Sequence, residues 1–262
     1  MTLPDATITL GTLAAQHPAS IPILELRGLD YCCGGTQTLS AACAARSLDA
    51  GEVLDAVISR ENDPKASIEQ SWDTATMTEL ADHIEQTHHA FVRETLARLK
   101  VVIPCVLNAH GAKDPRLTEL AGVVRHFEED MRDHMVREER VLFPWLRRLE
   151  RKSEIQSGPP WSVRRPISCM VHDHDDAGAA LARMRSLTDN YAAPPGACVT
   201  YRSLLGLLEE LERDTHIHIH KENNILFPAG VRAEDRGANR ASESAGSEAP
   251  QRLASSPTAQ SS

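Results

Sequence analysis

Two segments of this chain repeat one another. They are His134-Met135-Val136-Arg137-Glu138-Glu139-Arg140-Val141-Leu142-Phe143-Pro144 and His218-Ile219-His220-Lys221-Glu222-Asn223-Asn224-Ile225-Leu226-Phe227-Pro228, each reading His-x3-Glu-x2-[Val/Ile]-Leu-Phe-Pro. Stepping back at alternating spacings of three and four gives Leu120, Val124, Phe127, Met131, His134, Glu138 and Val141 in the first. The second gives Leu204, Leu208, Leu211, Thr215, His218, Glu222 and Ile225. Both are apolar seams of helices into which a His and a Glu have been inserted. A carboxylate in such a seam cannot stay charged and unpaired, because uncompensated burial costs several kcal/mol or more. Something cationic must meet it.

Each segment has a histidine at a matching distance upstream, His89 for the first and His174 for the second. His89 leads a seam of Val92, Leu96, Leu99 and Ile103, and His174 leads Ala177, Leu181 and Met184. From Met77 to about Phe227 the pattern is helical, with turn signals near Gly111–Pro115, Ser157–Pro160 and Ala193–Gly196. Those three breaks predict four long helices, antiparallel in an up-down-up-down bundle. Four imidazoles and two carboxylates then converge on one core. Six such ligands are too many for one tetrahedral zinc, and imidazole with carboxylate suits iron or manganese. Two carboxylates shared between two ions leave two histidines to each, with open positions for small molecules. Ferritin-like bundles place Glu-x-x-His at i,i+3, whereas this chain uses His-x3-Glu at i,i+4, the hemerythrin-like arrangement. One choice stays open on the residues alone: His88 continues the upstream series Met77, Leu80 and Ile84, while His89 begins the downstream one.

Residues 1–60 carry four short helical patterns, Thr9 to Gln16, Ser20 to Arg27, Thr38 to Arg46 and Asp49 to Arg60, each too short to persist alone. They predict one small module. Between the second and third lies Gly28-Leu29-Asp30-Tyr31-Cys32-Cys33-Gly34-Gly35, a turn-rich loop bearing adjacent thiols. A helix beginning near Thr38 could lower a thiol pKa through its dipole, which suits Cys32 and Cys33 to a redox or transfer role; the other reading is a pair of buried small apolar residues. Residues 61–74, polar and broken by Pro64, read as a linker that leaves the module separable. The expected architecture is all-α: module 1–60, linker 61–74, bundle 75–232 and a disordered tail 233–262.

Composition narrows the function. With 28 Lys and Arg against 37 Asp and Glu, the net charge of −9 disfavours a nucleic-acid partner. No apolar run is long enough to span a membrane and residues 1–20 lack a signal-peptide pattern, so a cytoplasmic protein with six reduced cysteines is expected. Oligomeric state is not legible.

The duplicated motif, together with Asp30-Tyr31-Cys32-Cys33-Gly34-Gly35, Glu222-Asn223-Asn224 and His174-Asp175-Asp176-Ala177-Gly178, resembles the iron–sulfur cluster repair di-iron proteins over about residues 8–230. The resemblance implies two non-haem iron ions, oxo- or hydroxo-bridged, with His89, His134, His174 and His218 as terminal ligands and Glu138 and Glu222 as bridges. With the forward seam, it decides for His89 over His88. It further implies repair of clusters damaged by nitrosative or oxidative stress, with damaged iron–sulfur proteins as partners and nitric oxide or oxygen as ligand. Nitric oxide reduction at the di-iron site is a possible activity. The alternative is a hemerythrin-like carrier or sensor of oxygen or nitric oxide. Oxygen-carrying hemerythrins use five terminal histidines, and the four-histidine pattern with a Cys-Cys module favours repair.

Other residues are assigned blander roles. His216 and His220 fall on the face opposite His218 and read as surface, as does His172. His110 is a candidate for lining the access path. Glu85 reads as a solvated residue that could add a carboxylate. Leu-Phe-Pro reads as packing followed by a helix end or kink at Pro144 and Pro228.

Overall fold

A computed structural model describes residues 4–66, 70–151 and 162–247. Among these residues there is no strand, only an antiparallel bridge between Thr9 and Thr38. The amino-terminal module consists of α1 (Leu10–Gln16), α2 (Ile21–Leu26), α3 (Leu39–Ala45) and α4 (Ala50–Glu61), with a 3-10 turn at Pro18–Ser20. Side-chain caps start three of these helices: Thr9 accepts from the Thr12 amide, Thr38 from Ala41, and Asp49 from Gly51 and Glu52. Leu10, Leu13, Leu24, Leu39 and Val53 close into a core of their own.

Three of the bundle's four long helices are each built from two α-helices joined by a π-helical segment. The first runs α5 (Met77–His83), a π segment Ile84–His89 and α6 (Ala90–His110); Thr76 and Glu79 form a capping box at its start. The second runs α7 (Arg116–Arg137), Glu138–Leu142 and α8 (Phe143–Glu150). The third is α9 (Arg164–Leu187), and the fourth runs α10 (Val199–Lys221), Glu222–Leu226 and α11 (Phe227–Ser247). Helix α6 packs chiefly on α10, and α7 on α9.

Of the end or kink expected at Leu-Phe-Pro, neither helix takes the end: each continues through a π segment. Pro144 and Pro228 have no N–H to give to the carbonyl four residues back. The Phe before each donates five residues back instead, Phe143 to the Glu138 carbonyl and Phe227 to that of Glu222. The extra residue shifts the register. Val141, expected in the seam, is exposed, Ile225 is only half-buried, and the buried places go to Leu142 and Leu226. Helix α11 also continues to Ser247, well into the stretch expected to be disordered from 233, while residues 248–262 and the turn expected at Ser157–Pro160 lie outside the described residues.

The module is docked rather than tethered. The Asn224 amide nitrogen donates to the carbonyls of Tyr31 at 3.1 Å and Cys32 at 3.3 Å, and Asn223 donates to Cys32 O at 3.4 Å. Cys32 belongs to the bundle's apolar core, and Ile217 packs on the module's. The expected linker is anchored too: Ser71 donates to Ala15 O at 3.2 Å, and Trp72 stacks on His83 with centroids 4.1 Å apart. The closest approach is at two glycines, where a Cβ would lie 2.1 Å (Gly11) or 2.3 Å (Gly35) from Asn224 Oδ1. Gly35→Ala is therefore expected to cost about 1–3 kcal/mol in urea unfolding. Gly122→Ala, in α7 with nothing within 4 Å of its Cβ, should be neutral or stabilising by about 0.5–1 kcal/mol. Equal behaviour of the two variants would mean that Asn224 does not lock the interface.

Candidate metal centre

The π segments place the chemistry. His89 closes the first, while Glu138 and Glu222 open the other two, so the bulges fall at the buried polar residues, and π-bulges are frequent at functional sites. The first insertion also resolves His88 against His89. It lets both point inward, at 3% and 0% exposure, His88 completing the upstream seam and His89 starting the downstream one.

His89, His134, His174, His218, Glu138 and Glu222 are all buried together between the bundle's main core and a second apolar cluster around Leu142, Phe143, Leu226 and Phe227. They form two overlapping groups, His89, Glu138, His218 and Glu222, and His134, Glu138, His174 and Glu222, with ligand atoms in each within 4.8 Å of one another. Both carboxylates belong to both groups. His134 Nε2 lies 3.2 Å from Glu138 Oε2, His89 Nε2 3.4 Å from the same oxygen, His218 Nε2 3.2 Å from Glu222 Oε1 and His174 Nε2 3.0 Å from Glu222 Oε2.

Three rings are held from behind through Nδ1: His89 by Glu139 at 2.7 Å, His134 by Asp173 at 3.2 Å and His174 by Asn223 at 2.9 Å. Such outer partners fix the tautomer and aim Nε2 inward. Phe143 stacks on His89 and Phe227 on His174, which gives the duplicated Leu-Phe-Pro a second task beside the π-bulge, walling the imidazoles with apolar surface.

The donor set fits two cations. His89 Nε2, both oxygens of Glu138 and Oε2 of Glu222 are buried and make no aligned hydrogen bond, facing only one another and the neighbouring imidazoles of the cluster, an arrangement that an ion between them would relieve. Burial pushes both carboxyls up and the imidazoles beside them pull harder, so Glu138 and Glu222 stay below the ordinary carboxylate range. Burial likewise opposes a charged His134, but the charge of Glu138 and the Asp173 hydrogen bond carry it up to about 10. The cluster draws in positive charge, as protons or as metal.

Other sequence candidates lie elsewhere. Glu85 pairs with Arg147 at 3.0 Å. His110 hydrogen-bonds Cys198 Sγ at 3.3 Å at the far end of α6, about 30 Å along the helix from His89. His172 is exposed, as expected. His220 is not on the surface: it is 2% exposed, edge-on to Tyr31 at 5.4 Å, and its Nδ1 accepts from Asn224 Nδ2 at 3.2 Å. His216 is half-buried, 3.4 Å from Glu25. The docked module covers the face that the helical wheel leaves to solvent.

The thiols also differ from expectation. Cys32 is buried, and its thiol is pushed well above the ordinary range by its hydrogen bond with Cys33, by burial and by Asp30. Cys33 is half-buried, with Sγ 3.7 Å from the His174 carbonyl.

Burial holds the His220 pKa down at about 4, the nearby charge of Lys221 adding to the effect against a hydrogen bond to Tyr31. Because the folded value lies below the unfolded one of about 6.5, its contribution to stability is complete above pH 6.5 and is lost as pH falls towards 4. The loss reaches about 3 kcal/mol at full protonation. Urea midpoints of the parent should fall more steeply between pH 6.5 and 4.5 than those of His220→Gln; parallel curves would remove His220 from the acid response.

Among the described residues no helix is long and apolar enough to cross a membrane. The profile of the hemerythrin HHE cation-binding domain matches residues 80–230, and that of ScdA_N, a domain of unknown function (DUF542), matches residues 6–60. The chain is 37% identical over 226 residues to a protein of Musicola paradisiaca named iron–sulfur cluster repair protein YtfE, covering 86% of this chain and 97% of the relative. Proteins of the same name from Escherichia coli O157:H7 and Dickeya chrysanthemi are 34% and 36% identical at the same coverage.

Proposed function

Because the chain belongs to the iron–sulfur cluster repair family of hemerythrin-type HHE cation-binding proteins, we propose that it restores damaged iron–sulfur clusters through a di-iron centre. His89 and His218 would hold one iron and His134 and His174 the other, with Glu138 and Glu222 the carboxylates common to both groups. The observation that carries this reading is the pair of overlapping His2Glu2 groups whose buried oxygens have no other partner. Bound there, iron would supply a coordination position for a diatomic such as nitric oxide. A cleft of about 530 Å3, lined by Met131, His134, Arg137 and Asp173, leads to the His134 side.

The chain's own residues set the conditions. Glu139, Asp173 and Asn223 fix three imidazoles, Phe143 and Phe227 keep water from them, and the docked loop places Cys33 against the backbone of a ligand. That thiol contact supports repair over simple carriage of oxygen or nitric oxide, which requires no thiol. The test is reactivation of a dehydratase whose cluster has been damaged by nitric oxide, under anaerobic conditions. The parent is expected to restore activity. Cys33→Ser is expected to keep iron and melting temperature while lowering reactivation about tenfold. A parent that binds nitric oxide reversibly and restores nothing would make it a carrier, and full reactivation by Cys33→Ser would leave the bundle as sole agent.

A further inference from the structure

A second group of metal-ligating atoms lies outside the histidine cluster. Asp30, Cys32 and Cys33 bring a carboxylate oxygen and two sulfurs within 4.8 Å of one another. The two Sγ atoms are 3.9 Å apart, and a tetrahedral ion with metal–sulfur bonds of about 2.3 Å spans about 3.8 Å between sulfurs. Asp30 Oδ1 is 3.2 Å from Cys32 Sγ and is oriented by the amides of Cys32 at 3.1 Å and Cys33 at 2.9 Å. Gly34 leaves room for this fold of the loop, since a Cβ there would lie 2.9 Å from Asp30 O and 3.1 Å from Oδ2.

The surroundings suit a cation. The trio lines a cleft of about 870 Å3 between the module and helices α9 and α10, in which six carboxylates face two guanidiniums. One of those guanidiniums, Arg185, is already paired with Glu212 at 2.6 Å. With that pair set aside, five carboxylates face one guanidinium, and this excess of negative charge raises the local concentration of cations. Asp30 is exposed, Cys33 half-buried and Cys32 buried, so the ligands step from solvent inward.

We propose that Asp30, Cys32 and Cys33 form a mononuclear site for a divalent cation of borderline softness such as ferrous iron, sharing no ligand with the histidine cluster. Two thiolates and one carboxylate select this class over magnesium or calcium, and water from the cleft completes the coordination. On binding, each thiol releases its proton to solvent, and no electron changes hands. The site stands apart from the repair reading, because an S2O cation site exists or fails whatever the histidine cluster does.

The test is an anaerobic titration of the iron-loaded full chain with cobalt(II) chloride. One equivalent beyond the loaded centre is expected to bind, with near-ultraviolet sulfur-to-cobalt charge transfer and the strong visible bands of a tetrahedral ion. Cys32→Ser/Cys33→Ser should lose both signals while keeping its histidine-bound iron. Asp30→Asn should keep the sulfur band and bind at least about tenfold more weakly. Exposed Cys105, Cys169 and Cys198 remain in every variant, so the difference between parent and double variant isolates the trio. Equal cobalt spectra in parent and double variant, or no sulfur band in the parent, would overturn the site. Should the double variant lose helicity, Cys33→Ser alone decides: the band should fall to about half, and an undiminished band rejects the proposal.

Discussion

Glu138→Ala/Glu222→Ala is expected to drop bound iron at least about tenfold from about two per chain, with helical content kept. Each carboxylate belongs to both four-residue groups, so its loss would take a ligand from both ions of the proposed centre at once. Neither has a substitute within reach: Glu139 is committed to His89 and Arg93, and Asp173 to His134 and Arg137. The four imidazoles that remain are soft enough to hold zinc or copper but leave iron without anionic ligands. Single variants should lose less than the double. His216→Ala, whose ring faces Glu25 in the module, should keep parental iron. Metal analysis with Mössbauer spectroscopy reads all of these. Full iron in the double variant would reject both glutamates as ligands, and loss in His216→Ala would place the site on another face of α10.

The helical bundle and the six residues of the cluster were legible because burial of a repeated His-x3-Glu leaves a strong mark on a 3.6-residue period. Every seam position read upstream of the two glutamates is buried, from Leu120 to Glu138 and from Leu204 to Glu222. Past them the reading slips by one residue, at Val141 and Ile225. A fixed period has no means of registering a π insertion, although Pro144 and Pro228 were its visible cause. The two incompatible seams meeting at His88 and His89 were the same signal in another form. Each was right on its own side of the Ile84–His89 segment.

What the sequence hid was the partner of each surface. A helical wheel assigns His220 to solvent because it knows only the bundle's own axis, and the module that covers this histidine is distant in sequence. The same omission left Cys32 between two readings, a reactive thiol on an open loop or a packed residue; it lies in the bundle's core with its pKa raised. Asn223 and Asn224 carried a usable hint. Two adjacent amides beside a ligand are costly to bury without partners, and their partners are His174 and the carbonyls of the Cys-Cys loop.

Removal of residues 1–70 is therefore expected to damage the bundle, against the separability that the polar stretch around Pro64 suggests. The cut exposes His220 and Ile217, takes Cys32 out of the main core and leaves the Asn224 amide without its two carbonyl acceptors. It also opens the ground behind His174, whose outer partner Asn223 loses its contact with Cys32 O. A loss of about 3 kcal/mol or more follows, which for a domain of this size lowers the melting temperature by about 10 °C. Because the damage reaches a ligand's supporting shell, iron should also leave faster when a chelator is added, at least about tenfold. Supplying residues 1–66 in trans at high concentration should recover part of both effects if docking is what matters. A truncated chain that melts with the parent and keeps its iron as long would mean that the interface around Asn224 carries no stability, and that the module is a separable arm after all.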